Sequence, residues 1–418
     1  MADSPHTSDM PVWRLRSALI LAAAAVYFLS PRITGEVFST SGRFPPFAAA
    51  FMQGRLSVDA TNAPIDVLEE LIPAPDGKRL YLAYPPLPAI LMMPFVALLG
   101  VGAVTTQIAC RVVSVCNVAL FDICVVAATR SFGRPPPKPM ARAALGLLFA
   151  FGTVTWHNAH FGGDWHYAHA VALAAMLAGL AEYCGRKRPA VVGIFAAAAL
   201  LTRPTAALCG ALYLMPWIRT RDYVSLWRAL TPIGAGGLAL ATYNAARFGD
   251  PLDFGYSHML LTGMGERLMA QYGQFHSHFI PRNFFWFFLA PPWAAIEPVF
   301  RLTYDPRGLS LFLASPALMY AFASMRTSRR HAELRGAWIA LALGLAPLLA
   351  YFNSGFWQFG HRFALDYLPV LLLLMIAGMG PRPAPTAYIL MSVSIAIQTW
   401  GVFLATPAPL PAWLTPSP

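Results

Sequence analysis

Charge is what this chain has little of. Of its 418 residues only 12% are Asp, Glu, Lys or Arg, against 57% hydrophobic, and the mean hydropathy is +0.53. So few charges cannot cover a water-facing surface, which excludes the soluble classes and implies an all-α polytopic membrane protein. Cysteine is also sparse. Cys110, Cys116, Cys124, Cys184 and Cys209 fall within or at the ends of apolar runs, with no disulfide framework and no zinc spacing. Acidic residues number 19 against 30 Lys and Arg, for a net charge of +11. The basic excess sits in short loops between apolar runs, so it signals topology and not nucleic-acid binding. No soluble domain, repeat or linker is evident. Residues 1–406 read as one integral-membrane domain and 407–418 as a Pro-rich tail.

What is present is a series of apolar runs. About 11 transmembrane helices are expected, near 13–30, 107–129, 141–158, 166–184, a hairpin over 190–218, then 226–245, 308–325, 336–352, 362–380 and 386–406. Arg14 and Arg16 ahead of the first run resemble a signal peptide's basic region, but no small-residue cleavage site precedes Pro31. A retained helix with its N-terminus inside is expected. Residues 31–106 form a large outer loop and 246–307 a second, aromatic-rich outer segment.

The stretch YPPLPAILMMPFVALLGVGAV, Tyr84 to Val104, decides the topology. It has the length of a span, but crossing there places the basic loops near Arg130, Arg186 and Arg326 outside, against the positive-inside rule. Its prolines, Pro85, Pro86, Pro88 and Pro94, also interrupt a straight helix. A proline-broken helix lying along the outer interface is expected instead.

Candidate chemistry gathers near the outer face. The bend HNAHFGGDWH carries His157, His160, Asp164 and His166, with His169 just beyond. Imidazoles beside a carboxylate suit a divalent metal, or are simply solvated polar groups. The reading adopted is Asp164 as acid or base, with the histidines, His166 and His169 foremost, facing an anionic head group. Arg203 interrupts an apolar hairpin, where an ionisable group at membrane depth asks for an anion such as a lipid phosphate or, failing that, snorkels. Arg362 and Asp366, four apart at a helix head, can pair on one face. Glu36 follows the first helix closely. Asp66 precedes an amphipathic run, where it can also cap a helix. Asp122 reads as a packing hydrogen bond between helices.

In layout the chain resembles the GT-C superfamily of membrane glycosyltransferases, which includes protein O-mannosyltransferases and the aminoarabinose transferases acting on lipid A. LYLAYPPLPAILMMPFVALLG resembles that family's flat-lying Pro-Pro segment, and CRVVSVCNVAL, with Arg111, the Arg-led start of its second helix. Asp164 matches an acidic residue ending its third helix. ALLTRPTAAL is similar to its fifth-to-sixth turn and HRFALDYLPVLLLL to its late Arg-aromatic helix start. The family places an Asp, often Asp-Glu, shortly after helix 1 as catalytic base. Here STSGRFPPFAAAF has no carboxylate, so Glu36 or Asp66 takes that place.

The resemblance implies a glycosyltransferase that moves a sugar from a polyprenyl-phosphate donor to an envelope glycan, lipid or protein acceptor, at the periplasmic face of a bacterial inner membrane. It implies carboxylate catalysis from Asp164, Glu36 or Asp66 and phosphate contacts from Arg203, Arg362 and Arg111. No cofactor is expected beyond the divalent metal that the histidine bend leaves open. The alternatives are a transporter or flippase for a lipid-linked glycan, which predicts polar groups through the midplane, and a non-catalytic relative that binds polyprenyl lipid.

Overall fold

The start of the first helix, the far part of the second and the start of the third meet at one ion cluster, which fixes the sense in which the chain threads its bundle. In the computed structural model of the protein, the described residues are 11–35, 42–60, 71–74, 76–259, 263–291, 294–296, 299–301, 304–329, 331–356 and 358–405. Helix α1 spans Val12–Thr34. After it come α2 (Phe44–Met52), strands β1 (Ser57–Asp59), β2 (Leu71–Pro73) and β3 (Arg79–Leu82), and α3 (Leu87–Leu99). The bundle continues with α4 (Thr106–Ser131), α5 (Pro139–Phe151), α6 (Val154–Phe161), α7 (Asp164–Cys184) and α8 (Pro189–Leu200). Next are α9 (Pro204–Cys209), α10 (Ala211–Thr220) and α11 (Tyr223–Phe248), then α12 (Gly263–Tyr272) and α13 (Ile280–Phe284). A short hairpin of β4 (Ala294–Ile296) and β5 (Val299–Arg301) precedes α14 (Leu311–Ala314), α15 (Tyr320–Ser328), α16 (Ala332–Ala350), α17 (Leu368–Met379) and α18 (Pro385–Phe403). Five helices among the described residues, Trp13–Thr34, Thr106–Ser131, Asp164–Cys184, Ala332–Ala350 and Pro385–Phe403, are long and apolar enough to cross a bilayer. The fold is that of an all-α polytopic integral membrane protein.

Arg16 Nε lies 2.7 Å from Asp122 Oδ2, and Arg142 forks onto the same carboxylate with its Nη2 at 2.6 Å from Oδ2. This cluster ties α1, α4 and α5 together where sequence reading expected only a packing hydrogen bond. Arg134 reaches the Ala377 carbonyl near the end of α17, and Arg219 lies 3.4 Å from Glu333 at the start of α16. The basic loops therefore collect at one end of the bundle. At the other end Thr34 meets His160, and Thr106 donates to Asp164. The chain between α1 and α4 thus leaves and re-enters the bundle at the same end. Within it α3 has 13 residues, about 20 Å of helix against a hydrocarbon core of about 30 Å.

α7 and α17 form the interior, buried along nearly their whole length. Interhelical ties to α7 run from side chains to backbone: Asn117 Nδ2 to Ala170 O at 2.9 Å and Tyr213 OH to Met176 O at 2.6 Å. Elsewhere small residues permit close approach. A Cβ on Gly193 of α8, Gly344 of α16 or Gly378 of α17 would collide with Ala229, Cys209 or Tyr320 respectively, which is the small-residue packing expected where lipid supplies no hydrophobic drive.

Three expected helices are broken in the structure. The run near 141–158 divides into α5 and α6 at Gly152–Thr153, where the Thr153 hydroxyl accepts from Thr155 N and caps α6. The run near 308–325 divides at Ser315–Pro316, because a proline lacks the amide and pushes its predecessor out of helical backbone. The run near 362–380 begins as a 3-10 turn over Arg362–Asp366. The first outer segment also contains a three-stranded antiparallel sheet, ordered β1-β3-β2, which sequence reading did not anticipate. Its signal was the turn at Asp76–Gly77, where Asp76 Oδ1 accepts from Lys78 N at 3.0 Å.

Candidate functional site

The end of the bundle where α1 finishes and α4 and α7 begin holds most of the candidate residues. Asp366 is the most enclosed carboxylate among them. Its Oδ1 accepts from Arg203 Nε at 2.6 Å and faces His169 Nδ1 at 3.0 Å; its Oδ2 accepts from Arg203 Nη2 at 2.9 Å and Thr205 Oγ1 at 2.5 Å. Both oxygens are fully used, as a buried carboxylate requires. This corrects the expected pairing of Arg362 with Asp366. In a 3-10 turn, with three residues per turn, positions four apart point about 120° away from each other. Asp366 therefore faces α7 and the turn between α8 and α9. The same contact occupies the two parallel donors of the Arg203 fork, so Arg203 acts first as the anchor of Asp366.

Arg362, released from that pairing, faces the α6–α7 corner. Its Nη1 lies 3.5 Å from His166 Nε2, and its backbone amide donates to Gln358 Oε1 at 2.9 Å. The histidines of the corner are buried and not solvated. His157 Nε2 accepts from Phe359 N at 3.2 Å, and His160 Nδ1 lies 3.0 Å from Ser30 Oγ. His361 stacks on Phe287 with ring centroids 3.4 Å apart. Its two ring nitrogens, His166 Nδ1 and His169 Nε2 have no hydrogen-bond partner among the described residues, an uncommon state for buried polar atoms. Among the described residues no group of three His, Cys, Asp or Glu is placed to hold a metal ion.

The expected polar bend is tighter than sequence suggested. α6 continues through Phe161, and the reversal is confined to Gly162–Gly163. Gly162 has φ +66, and a Cβ there would lie 3.1 Å from the Gln107 backbone, so glycine is required on both counts. Asp164 then opens α7, where a carboxylate complements the helix dipole. Its Oδ1 accepts from Arg43 N at 2.9 Å and Thr106 Oγ1 at 3.1 Å, while its Oδ2 lies 3.0 Å from Arg43 Nη1. Asp164 thus pins Gly42–Arg43 onto α4 and α7. Glu36 and Asp66 lie outside the described residues. The flanking Gly35, which caps α1, and Gly42, beside Asp164, are both at this end.

Three arginines here are held by neutral acceptors. Arg111 Nη2 donates to His160 O at 3.2 Å. Arg247 donates to Leu82 O and to Asn244 Oδ1 at 2.9 Å, and lies 3.7 Å above the Tyr243 ring. Arg282 donates to Phe352 O at 2.5 Å and to Asn283 Oδ1 at 3.2 Å. Among the described residues none of the three makes an ion pair with a carboxylate, although Asp253 lies within electrostatic reach of Arg247. Arg247 and Arg282 were not singled out from sequence, although each is a guanidinium beside aromatic residues, a setting related to the apolar hairpin that identified Arg203. Arg247 reaches the Leu82 carbonyl and Phe248 packs edge-on to Tyr81 at 5.7 Å, so the end of α11 packs against the segment between α1 and α4. Alongside, Ile90, Leu91, Phe95, Leu98 and Leu99 of α3 are exposed. The α3 N-terminus is fixed by Leu87 N donating to Leu201 O at 3.0 Å.

No family model matches the chain, and no curated protein does. Among solved structures it is similar to ArnT from Cupriavidus metallidurans, determined with undecaprenyl phosphate bound, with a TM-score of 0.56 and 16% identity over 93% of this chain. The chain spans 64% of the length of that ArnT chain. The likeness shows a common fold.

Proposed function

We propose that the protein is a glycosyltransferase taking its sugar from a polyprenyl-phosphate donor, with the site above on the periplasmic side of a bacterial inner membrane. The observation that carries the reading is the set of arginines, Arg111, Arg247 and Arg282, held by neutral groups at one end of a membrane bundle, next to the exposed apolar face of α3. A cation hydrogen-bonded by neutral groups next to lipid suits a ligand that is a phosphate at one end and hydrocarbon at the other. α3 lying in the interface supplies the surface for the chain. The fold shared with an undecaprenyl-phosphate-bound protein agrees with this.

A carboxylate takes the proton of the acceptor hydroxyl, the oxygen attacks the anomeric carbon from the face opposite the phosphate, and the carbon–oxygen bond to the phosphate breaks with inversion. The departing polyprenyl phosphate gains negative charge, which Arg111, Arg247, Arg282 and Arg362 offset. We assign the base to Glu36, bracketed by Gly35 and Gly42, with Asp66 as the other carboxylate of that outer segment. Asp164 supports the site through Arg43 and Thr106, and Arg203 supports it by holding Asp366 and so the turn that presents Arg362. Charged clusters at the two ends of the bundle favour this over a transporter, which needs polar groups at the midplane.

The test is transfer from an undecaprenyl-phosphate-linked sugar by the purified protein in lipid nanodiscs. Glu36→Gln is expected to lower turnover by about 10²–10⁴-fold while donor binding persists. Full turnover by Glu36→Gln, Asp66→Asn and Asp164→Asn alike would discard the mechanism.

A further inference from the structure

At the end opposite that site, a groove of about 1040 Å³ opens between α4, α7 and α8. Glu182, on its rim, is 13 residues along α7 from His169, about 20 Å of helix away. Six of its lining side chains are basic and one, Glu182, is acidic. Much of this charge is built in. Arg142 is buried and, with Arg16, is held by Asp122. Glu182 takes Arg188 through Nε at 3.0 Å and Nη2 at 2.9 Å, and accepts the Arg188 amide as well. The intervening loop is turned over the groove by Lys187 at φ +55, a left-handed conformation fixed by Lys187 N donating to Glu182 O at 2.8 Å. With both carboxylates engaged, Arg130, Arg186 and Lys187 face the groove without a carboxylate partner among the described residues.

The remaining wall is hydrocarbon: Leu120, Ile123, Val191 and Phe195 line it, and Ile123 is exposed. The N-terminus of the 12-residue α8 opens at the same rim, adding its dipole to the basic charges. A solvated topology signal would need only charges on loops. Here the charges crown a cavity whose walls are apolar and whose volume admits a head group with the upper part of its chains.

We infer that this groove is a binding site for an anionic phospholipid, with the phosphate between Arg130, Arg186 and Lys187 and the acyl chains along Ile123 and Phe195. It is separate from the donor site and does not depend on the proposed transfer chemistry. The site is tested by native mass spectrometry of the full chain released from nanodiscs of phosphatidylcholine with and without phosphatidylglycerol. The wild type is expected to retain phosphatidylglycerol and shed phosphatidylcholine. Arg186→Gln and Lys187→Gln are each expected to weaken retention about fivefold, the effect of one basic charge at a membrane surface. Arg130→Gln, on a different loop, reads the same charge independently, and the swap R186K/K187R retains the lipid. Equal retention of both lipids, indifference to all three glutamine substitutions, or the same thermal stabilisation by inorganic phosphate alone would overturn the inference.

Discussion

Asp366 and Arg203 lie 163 positions apart in the chain and meet through two hydrogen bonds of 2.6 and 2.9 Å, both side chains buried. Removing one partner of such a pair strands the other charge, and the penalty exceeds what the pair itself contributes. Asp366→Ala or Arg203→Ala is expected to cost about 3–5 kcal/mol, read as a lowered unfolding midpoint in detergent. The double replacement R203M/D366L should recover much of that stability. An additive loss in the double variant would show that the two do not act as a pair.

The same logic holds at the opposite end for Asp122, which serves two arginines. Asp122→Ala leaves Arg142 buried with no counter-charge and is expected to destabilise by about 3 kcal/mol or more. Arg16→Ala, at a half-exposed position, should cost under about 1 kcal/mol. Thermal unfolding of the two variants side by side checks the ordering.

Gly42 has φ +69, and a Cβ there would strike the Thr106 hydroxyl and stand 3.1 Å from Asp164 Oδ1. Gly42→Ala is therefore expected to lose about 1–3 kcal/mol through strain and to disturb the Asp164–Arg43 contact. Transfer activity should fall by more than in Gly102→Ala, where a Cβ meets open space. Equal activity in the two variants would remove Asp164 from any supporting role.

Arg247→Lys keeps a cation but loses the planar fork, and Arg282→Lys does the same across the site. Each is expected to weaken undecaprenyl phosphate binding by about tenfold, at the lower end of what one hydrogen bond to a charged group contributes. The readout is titration of the detergent-solubilised protein with the lipid. Unchanged affinity in both variants would place the phosphate elsewhere.

Much of the bundle was legible in the sequence because helix and bilayer impose a common length on every apolar run, and because basic loops mark one side. Arg203 was legible for a related reason: a guanidinium between Leu201 and Pro204 has no inexpensive explanation. Its partner was not legible. Asp366 looked committed to Arg362 four residues away, and only the 3-10 geometry of that turn, set by packing against α7, redirects it. Arg247 and Arg282 went unnoticed because aromatic segments between spans read as interface, and nothing local shows that Arg247 reaches the Leu82 carbonyl or Arg282 the Phe352 carbonyl. The sheet was missed because strands of three or four residues carry too little alternation to register.

A single residue, Thr202, separates Leu201, whose carbonyl takes the Leu87 amide at 3.0 Å, from Arg203, whose fork grips Asp366. So short a link has no slack. The exposed apolar helix α3 and the acid locked inside thus share one short stretch of backbone, which ties the lipid-facing surface to the most enclosed carboxylate of the site.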